Sequence, residues 1–166
     1  MSIDQKIIET MRAMEHMPKA GSKREALLFE RLEDEEILQD CATLGLMLEI
    51  YCKGHHDESE REEVKSPASL LGAYEGRHTP KLCKSCNAHL IYGETRRALC
   101  PYDPKPNCKN CEIHCYKPDE QAFQREMMRY VGPRTMLYPH IWKDAFKHIE
   151  NTVNTKGGQK AERRGR

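Results

Sequence analysis

The sequence predicts a mainly α-helical fold: a small helical domain with an irregular, cysteine-rich, metal-binding middle segment. Three observations carry this expectation. Apolar residues recur at spacings of three and four before residue 52 and again after residue 118, as in a helix that buries one face. Seven of the eight cysteines fall between Cys52 and Cys115. Within that span, four cysteines and four prolines share the nineteen residues from Cys100 to Pro118, which is not the composition of an ordinary core element.

With 32% charged against 38% hydrophobic residues and eleven aromatics, the chain has a modest core for 166 residues, so metal would help to hold it together. A formal net charge of +1 supplies no global field toward nucleic acid or an anionic membrane. The start, Met1-Ser-Ile-Asp-Gln-Lys6, is not a basic lead into an apolar run, and no stretch approaches the roughly 18 consecutive apolar residues of a membrane span. A cytoplasmic protein without membrane attachment is expected. In a reducing compartment eight cysteines point to metal or redox chemistry over a disulfide framework.

Three parts are expected: a mobile N-terminal helix over 1–21, a metal-stabilised helical domain over 22–153 and a disordered basic tail over 154–166. Ser2 caps the first helix, Ile3, Ile7, Met11 and Met14 form its stripe, and Pro18 with Gly21 ends it. A second helix starts at Ser22 and runs toward Cys52, with Ile37, Cys41, Leu44, Leu48 and Tyr51 spaced by four, three, four and three. Its acidic run, Glu33 to Glu36, reads as a solvated turn of surface or as the start of a new helix after a break, because negative charge suits a helix N-terminus. Asp57 to Glu63 has five acidic residues and no apolar one, and reads as an exposed linker. Ser66-Pro67 caps a short helix through Leu70, Leu71 and Tyr74, closed by Gly76. Asn87 to Tyr92 is too short to separate strand from helix, and Gly93 argues against a long helix there.

After the cysteine-rich stretch, Pro118, Asp119 and Glu120 start a helix whose apolar face is Phe123, Met127 and Val131, and Gly132-Pro133 stops it. Pro139 opens a last helix carrying Trp142, Phe146, Ile149 and Val153. Both are expected to fold back on the core helix.

The chemistry lies in the cysteines. Cys100, Cys108, Cys111 and Cys115 supply four soft thiolates, the donors that select zinc or iron–sulfur clusters. A continuous helix would separate Cys108 from Cys115 by about 10.5 Å along its axis. Tetrahedral Zn–S bonds of about 2.3 Å need sulfurs about 3.8 Å apart, so this segment must be a loop or broken turn if all four reach one centre. Upstream, Cys83-Lys-Ser-Cys86 and Cys52-Lys-Gly-His-His56 make a second set: Cys52, one of His55 or His56, Cys83 and Cys86. Order and spacing leave another partition open, with Cys83 and Cys86 joined to Cys108 and Cys111. Cys41 is left over, and in an apolar helical pattern it reads as a small buried hydrophobe.

Four motifs in this order, Tyr51-Cys-Lys-Gly-His-His56, Leu82-Cys-Lys-Ser-Cys86, the run from Cys100 to Pro118, and Met128-Arg-Tyr-x-Gly-Pro-Arg134, resemble the bacterial nitrous oxide-stimulated promoter family over roughly residues 25 to 150. That resemblance implies a small cytoplasmic protein produced during nitrosative stress. The family's label describes a promoter that responds to nitrogen oxides, not a protein that binds one.

Zinc, with two ions in closed four-donor sites, is the expected cofactor; the alternative is an iron–sulfur cluster on Cys100, Cys108, Cys111 and Cys115, which would make the chain a redox or NO-sensing protein. His114 is a reserve ligand. There is no Gly-rich phosphate loop, no paired His around a Glu on a helix and no nucleophile elbow, so a non-catalytic metal-binding protein with an unidentified protein partner is expected. Between Arg77 and Lys117 the formal charge is +5, and six thiolates with two zinc ions reduce it to about +3. Arg96, Arg97, Lys105 and Lys109 are then candidates for only weak phosphate contact, and a nucleic-acid-binding zinc module is the third reading.

Overall fold

The computed structural model describes residues 16–103, 105–106, 111–142 and 146, with the backbone of 162–163. The architecture is mainly helical. Helix α1 spans Lys23–Leu32, α2 Glu35–His55, α3 Pro67–Leu70, α4 Lys84–Ala98 and α5 Pro118–Arg134, and three short 3-10 turns lie at Glu58–Glu60, Thr135–Leu137 and Pro139–Ile141. The expected helix over 1–21 lies outside the described residues up to position 15.

Helix α2 is the axis of packing, and α1, α4 and α5 all lie against it. It begins where the acidic run permits a break. Asp34 adopts an extended conformation and its carboxylate accepts from the backbone N–H groups of Glu36 and Ile37, so the chain starts a new helix there instead of extending α1. Ile37, Cys41, Leu48 and Tyr51 are buried as their spacing predicts, and Leu44 is partly buried against the same core. Gly45 allows a close crossing: a Cβ there would stand 2.0 Å from the Tyr74 hydroxyl.

Residues Asn87–Tyr92 belong to α4, and Gly93 does not end it. The glycine is there for packing, since a Cβ would meet Leu44 Cδ2 at 2.4 Å. The acidic stretch after α2 is more than a linker. Glu62–Glu63 (β1) pairs antiparallel with Lys81–Leu82 (β2), and Val64 N–H donates to the Pro80 carbonyl at 3.0 Å. Asn87 of α4 bonds both the N–H and the carbonyl of Lys65, which fastens this loop to the helix. The capping box at Ser66 starts α3 as expected.

Helix α5 carries Met127 and Val131 fully buried and runs on through Pro133 to Arg134, past the stop that the Gly132-Pro133 pair suggests. Tyr51 of α2 donates to Glu126 of α5 at 2.8 Å, and His89 of α4 spans Glu120 and Gln124 of α5. Of the last expected helix, Pro139–Ile141 is a 3-10 turn anchored by buried Ile141, whereas Trp142 and Phe146 are exposed; Ile149 and Val153 lie outside the described residues. In the basic tail, Glu162–Arg163 (β4) pairs antiparallel with Tyr102–Asp103 (β3). No helix among the described residues is long and apolar enough to cross a membrane.

Candidate metal centre

The C-terminal turn of α2 and the N-terminal turn of α4 meet at one point. Cys52 stands on the last turn of α2, and His56 caps that helix with extended backbone, its N–H still bonded to the Cys52 carbonyl at 2.9 Å. Cys83 is the N-cap of α4 and Cys86 lies in its first turn. The donor atoms of these four residues lie within 4.8 Å of one another. His56 Nδ1 is 3.2 Å from Cys83 Sγ and 3.4 Å from Cys86 Sγ. A tetrahedral zinc ion, with Zn–S about 2.3 Å and Zn–N about 2.05 Å, would set such a pair about 3.6 Å apart, so the spacing fits with small movements. Cys52 and Cys86 are wholly buried and Cys83 is 3% exposed.

The adjacent histidines have different places. His55 is turned away from the cluster, its Nδ1 3.0 Å from the Tyr51 carbonyl and its ring stacked on Tyr51 at 4.1 Å and against Tyr130. Only His56 reaches the sulfurs. Gly54 between them and the helix body gives Tyr130 room, for a Cβ there would lie 2.0 Å from its hydroxyl.

The electrostatics suit a cation. Burial raises the Cys86 thiol far above its ordinary value, and charge on Cys52 and Cys83 would raise it further. Burial raises Cys52 as well. Burial also acts on Cys83, but hydrogen bonds, first from the Ser85 hydroxyl at 3.2 Å, outweigh it and leave this thiol lowered. Three sulfurs packed in a dry place cannot all ionise against one another, whereas a divalent ion at their centre removes that repulsion. The four residues therefore fit a thiophilic metal ion with no donor missing, and the set leaves no position open for a substrate.

The cysteine-rich stretch is arranged differently. Cys100 is buried below the end of α4, where its carbonyl accepts from Arg31 at 3.0 Å; Cys111 is half-buried and Cys115 exposed. Cys108 lies outside the described residues. Cys100, Cys111 and Cys115 form no comparable donor group among the described residues. His114 is exposed with φ of 44°, the left-handed turn that a broken segment between Cys111 and Cys115 requires. Cys41 stays apart, 1% exposed, its thiol pushed well up by burial, as expected of a small core hydrophobe.

The model of the family described as nitrous oxide-stimulated promoter matches residues 35–161. The chain belongs to this family. Its match therefore covers both the assembled cluster and the cysteine-rich stretch. A curated relative, the uncharacterised protein YgbA of Escherichia coli (strain K12), is 39% identical over 54 residues, which is 32% of this chain and 45% of that protein. No solved structure matches. For this member of the nitrous oxide-stimulated promoter family, a role connected with nitrous oxide is what the family name implies, and a Cys/His cluster able to hold a metal is what the fold supplies.

Spacing alone does not single out several side chains around these sites. Ser85 is visible only as the filler of a CxxC pair, yet it bonds Cys83. Glu94, fully buried, accepts from the Ser66 hydroxyl at 2.7 Å and from Ala68 N–H at 2.9 Å, tying α4 to α3. Burial lifts its carboxyl to about 8 although both hydrogen bonds act to lower it. Arg97, a candidate for phosphate contact, is 7% exposed and bonded to Asp40 at 2.6 Å, so it faces inward. Arg96 lies with Lys19, Arg24 and Lys117 around a pocket of about 350 Å³. Lys109 lies outside the described residues.

Proposed function

We propose that the chain is a non-catalytic, metal-stabilised protein of the response to nitric oxide and related nitrogen species, acting in the cytoplasm through a protein partner. Zinc occupies the Cys52, His56, Cys83 and Cys86 centre in this reading, and a second thiolate centre is built on Cys100, Cys108, Cys111 and Cys115. The observation that carries it is the convergence of three buried sulfurs and one imidazole within 4.8 Å where two packed helices meet. Such a closed set ties α2 to α4, and its metal affinity is folding free energy. Metal-bound thiolates remain nucleophilic, so dinitrogen trioxide, formed when oxygen oxidises nitric oxide, transfers its nitrosonium group to one sulfur with nitrite leaving; the metal–sulfur bond breaks and the centre opens.

Anaerobic purification with metal analysis and a visible spectrum tests the reading. Two colourless zinc ions per chain are expected. Brown protein with iron and acid-labile sulfide would instead place a cluster on the Cys100 to Cys115 stretch. Treatment with an NO donor after oxygen is readmitted should release metal and raise hydrogen exchange across 100–117 while the body of α2 stays protected. Unchanged metal content and exchange would overturn the proposed sensitivity.

A further inference from the structure

We propose that Glu49, His78 and His140 form a metal site of an open, nitrogen-and-oxygen type, separate from the cysteine centre. Glu49 lies on α2 one turn before Cys52, about 4.5 Å along the helix axis. His78 precedes β2, and His140 stands on the 3-10 turn Pro139–Ile141. One ligand atom from each lies within 4.8 Å of the other two. His78 Nε2 is 2.7 Å from Glu49 Oε2, and the two imidazole rings are 5.1 Å apart.

The carboxylate is prepared as a ligand. Glu49 is 2% exposed, and its Oε1 accepts the Lys81 N–H at 2.9 Å, which orients the group and leaves Oε2 toward the histidines. Its ion pair with Lys53 marks it as a carboxylate. Lys53 Nζ lies 3.3 Å from Oε2 and balances that buried charge. A divalent ion replaces this role with greater charge, and Lys53, 40% exposed on a long stem, can move into water.

The required movement is small. Three donors on a tetrahedral ion with bonds of about 2.1 Å stand about 3.4 Å apart, so the widest present separation contracts by no more than about 1.4 Å. Both histidines are exposed, while buried Ile141 holds the turn beneath His140. Two imidazoles and a carboxylate select a borderline divalent ion of the first transition row, such as zinc, cobalt or ferrous iron. Three protein ligands also leave a fourth position for water or a small exogenous ligand. The cysteine centre offers neither feature.

The test uses the full chain with its thiolate sites filled by zinc, titrated anaerobically with cobalt(II). One additional cobalt per chain is expected, with weak visible ligand-field bands and without the intense near-ultraviolet thiolate-to-cobalt charge transfer. His140→Ala and His78→Ala should each weaken this binding at least tenfold and leave thiolate-bound zinc unchanged; both positions are exposed, and circular dichroism checks that the variants fold. Lys53→Gln should bind cobalt as tightly as the parent or tighter. Glu49→Gln is a poorer probe, because this residue also holds β2. Absence of stoichiometric cobalt uptake, uptake with a thiolate charge-transfer band, or uptake unaltered in the His78→Ala, His140→Ala double variant overturns the proposal. The cysteine centre's zinc content is read in the same samples, so a failure there is separately visible.

Discussion

Two regions of this chain carry cysteines in numbers, and they differ in how the backbone delivers them. At Cys52, His56, Cys83 and Cys86 the donors stand at the ends of helices of 21 and 15 residues, both packed in the core, and their side chains converge where those helices meet. From Cys100 to Pro118 four cysteines lie closer together in sequence, yet Cys100 is buried, Cys111 is half-buried and Cys115 is exposed. Nearness along the chain is therefore a poor guide to a preformed site. Donors on packed helices are held in place by burial elsewhere, whereas donors on a proline-rich loop have little apolar contact to position them.

This contrast is sharpest in its energetics. Cys86→Ser removes a sulfur from the rigid centre and leaves two buried thiols without their ion, so metal content should fall by one per chain and stability by about 4 kcal/mol or more. Thermal melting with metal analysis checks it, and a chelator should reproduce the effect on the parent. Leu48→Ala, at a fully buried position on α2, should cost about 3 kcal/mol through the cavity alone and leave metal stoichiometry intact. Equal metal loss in both variants would mean that packing and ligation around α2 cannot be separated.

Glu94 adds a pH dependence confined to the packed region. Its folded carboxyl titrates near 8 against an ordinary 4.5, mainly because it is buried. Between those values the native state holds a proton that the unfolded chain has lost, so its contribution is complete below about 4.5 and declines as pH rises through about 8. The slope is at most about 1.4 kcal/mol per pH unit, and Glu94→Gln should flatten it in chemical denaturation measured from pH 5 to 9. The smallest effect on the fold is expected at the loop. Cys111→Ser should lower stability by about 1 kcal/mol or less and release one metal ion, with hydrogen exchange rising only around 100–117. A melting-temperature loss as large as that of Cys86→Ser would erase the distinction between the two regions.

Much of this arrangement is legible before any coordinates. The three-and-four spacing from Ile37 to Tyr51 marks the buried face of α2, and Pro118 with its acidic neighbours marks the start of α5. Motif order offers the Cys52, Cys83 and Cys86 grouping but equally allows Cys83 and Cys86 to join Cys108 and Cys111, and the meeting of α2 with α4 brings the first set together. Helix α4 is harder to read, because Gly93 resembles a breaker and its reason, close approach of Leu44, belongs to another helix. Pro133 similarly falls inside the last turn of α5, where local propensity favours a stop and the continuing chain overrides it.

Residue identity and period determine the helical class, the apolar faces and the supply of soft donors, since each depends on chemistry within a few positions of the chain. They leave His55 and His56 equivalent. Tertiary structure separates them: α2 ends with Tyr51 and Tyr130 holding His55 on one side, while the cap conformation of His56 turns its Nδ1 toward Cys83 and Cys86. The same holds for Glu49, His78 and His140, which are 29 and 62 residues apart along the chain. No local rule joins residues at such distances; their meeting follows from the crossing of packed elements, which is a property of the whole core.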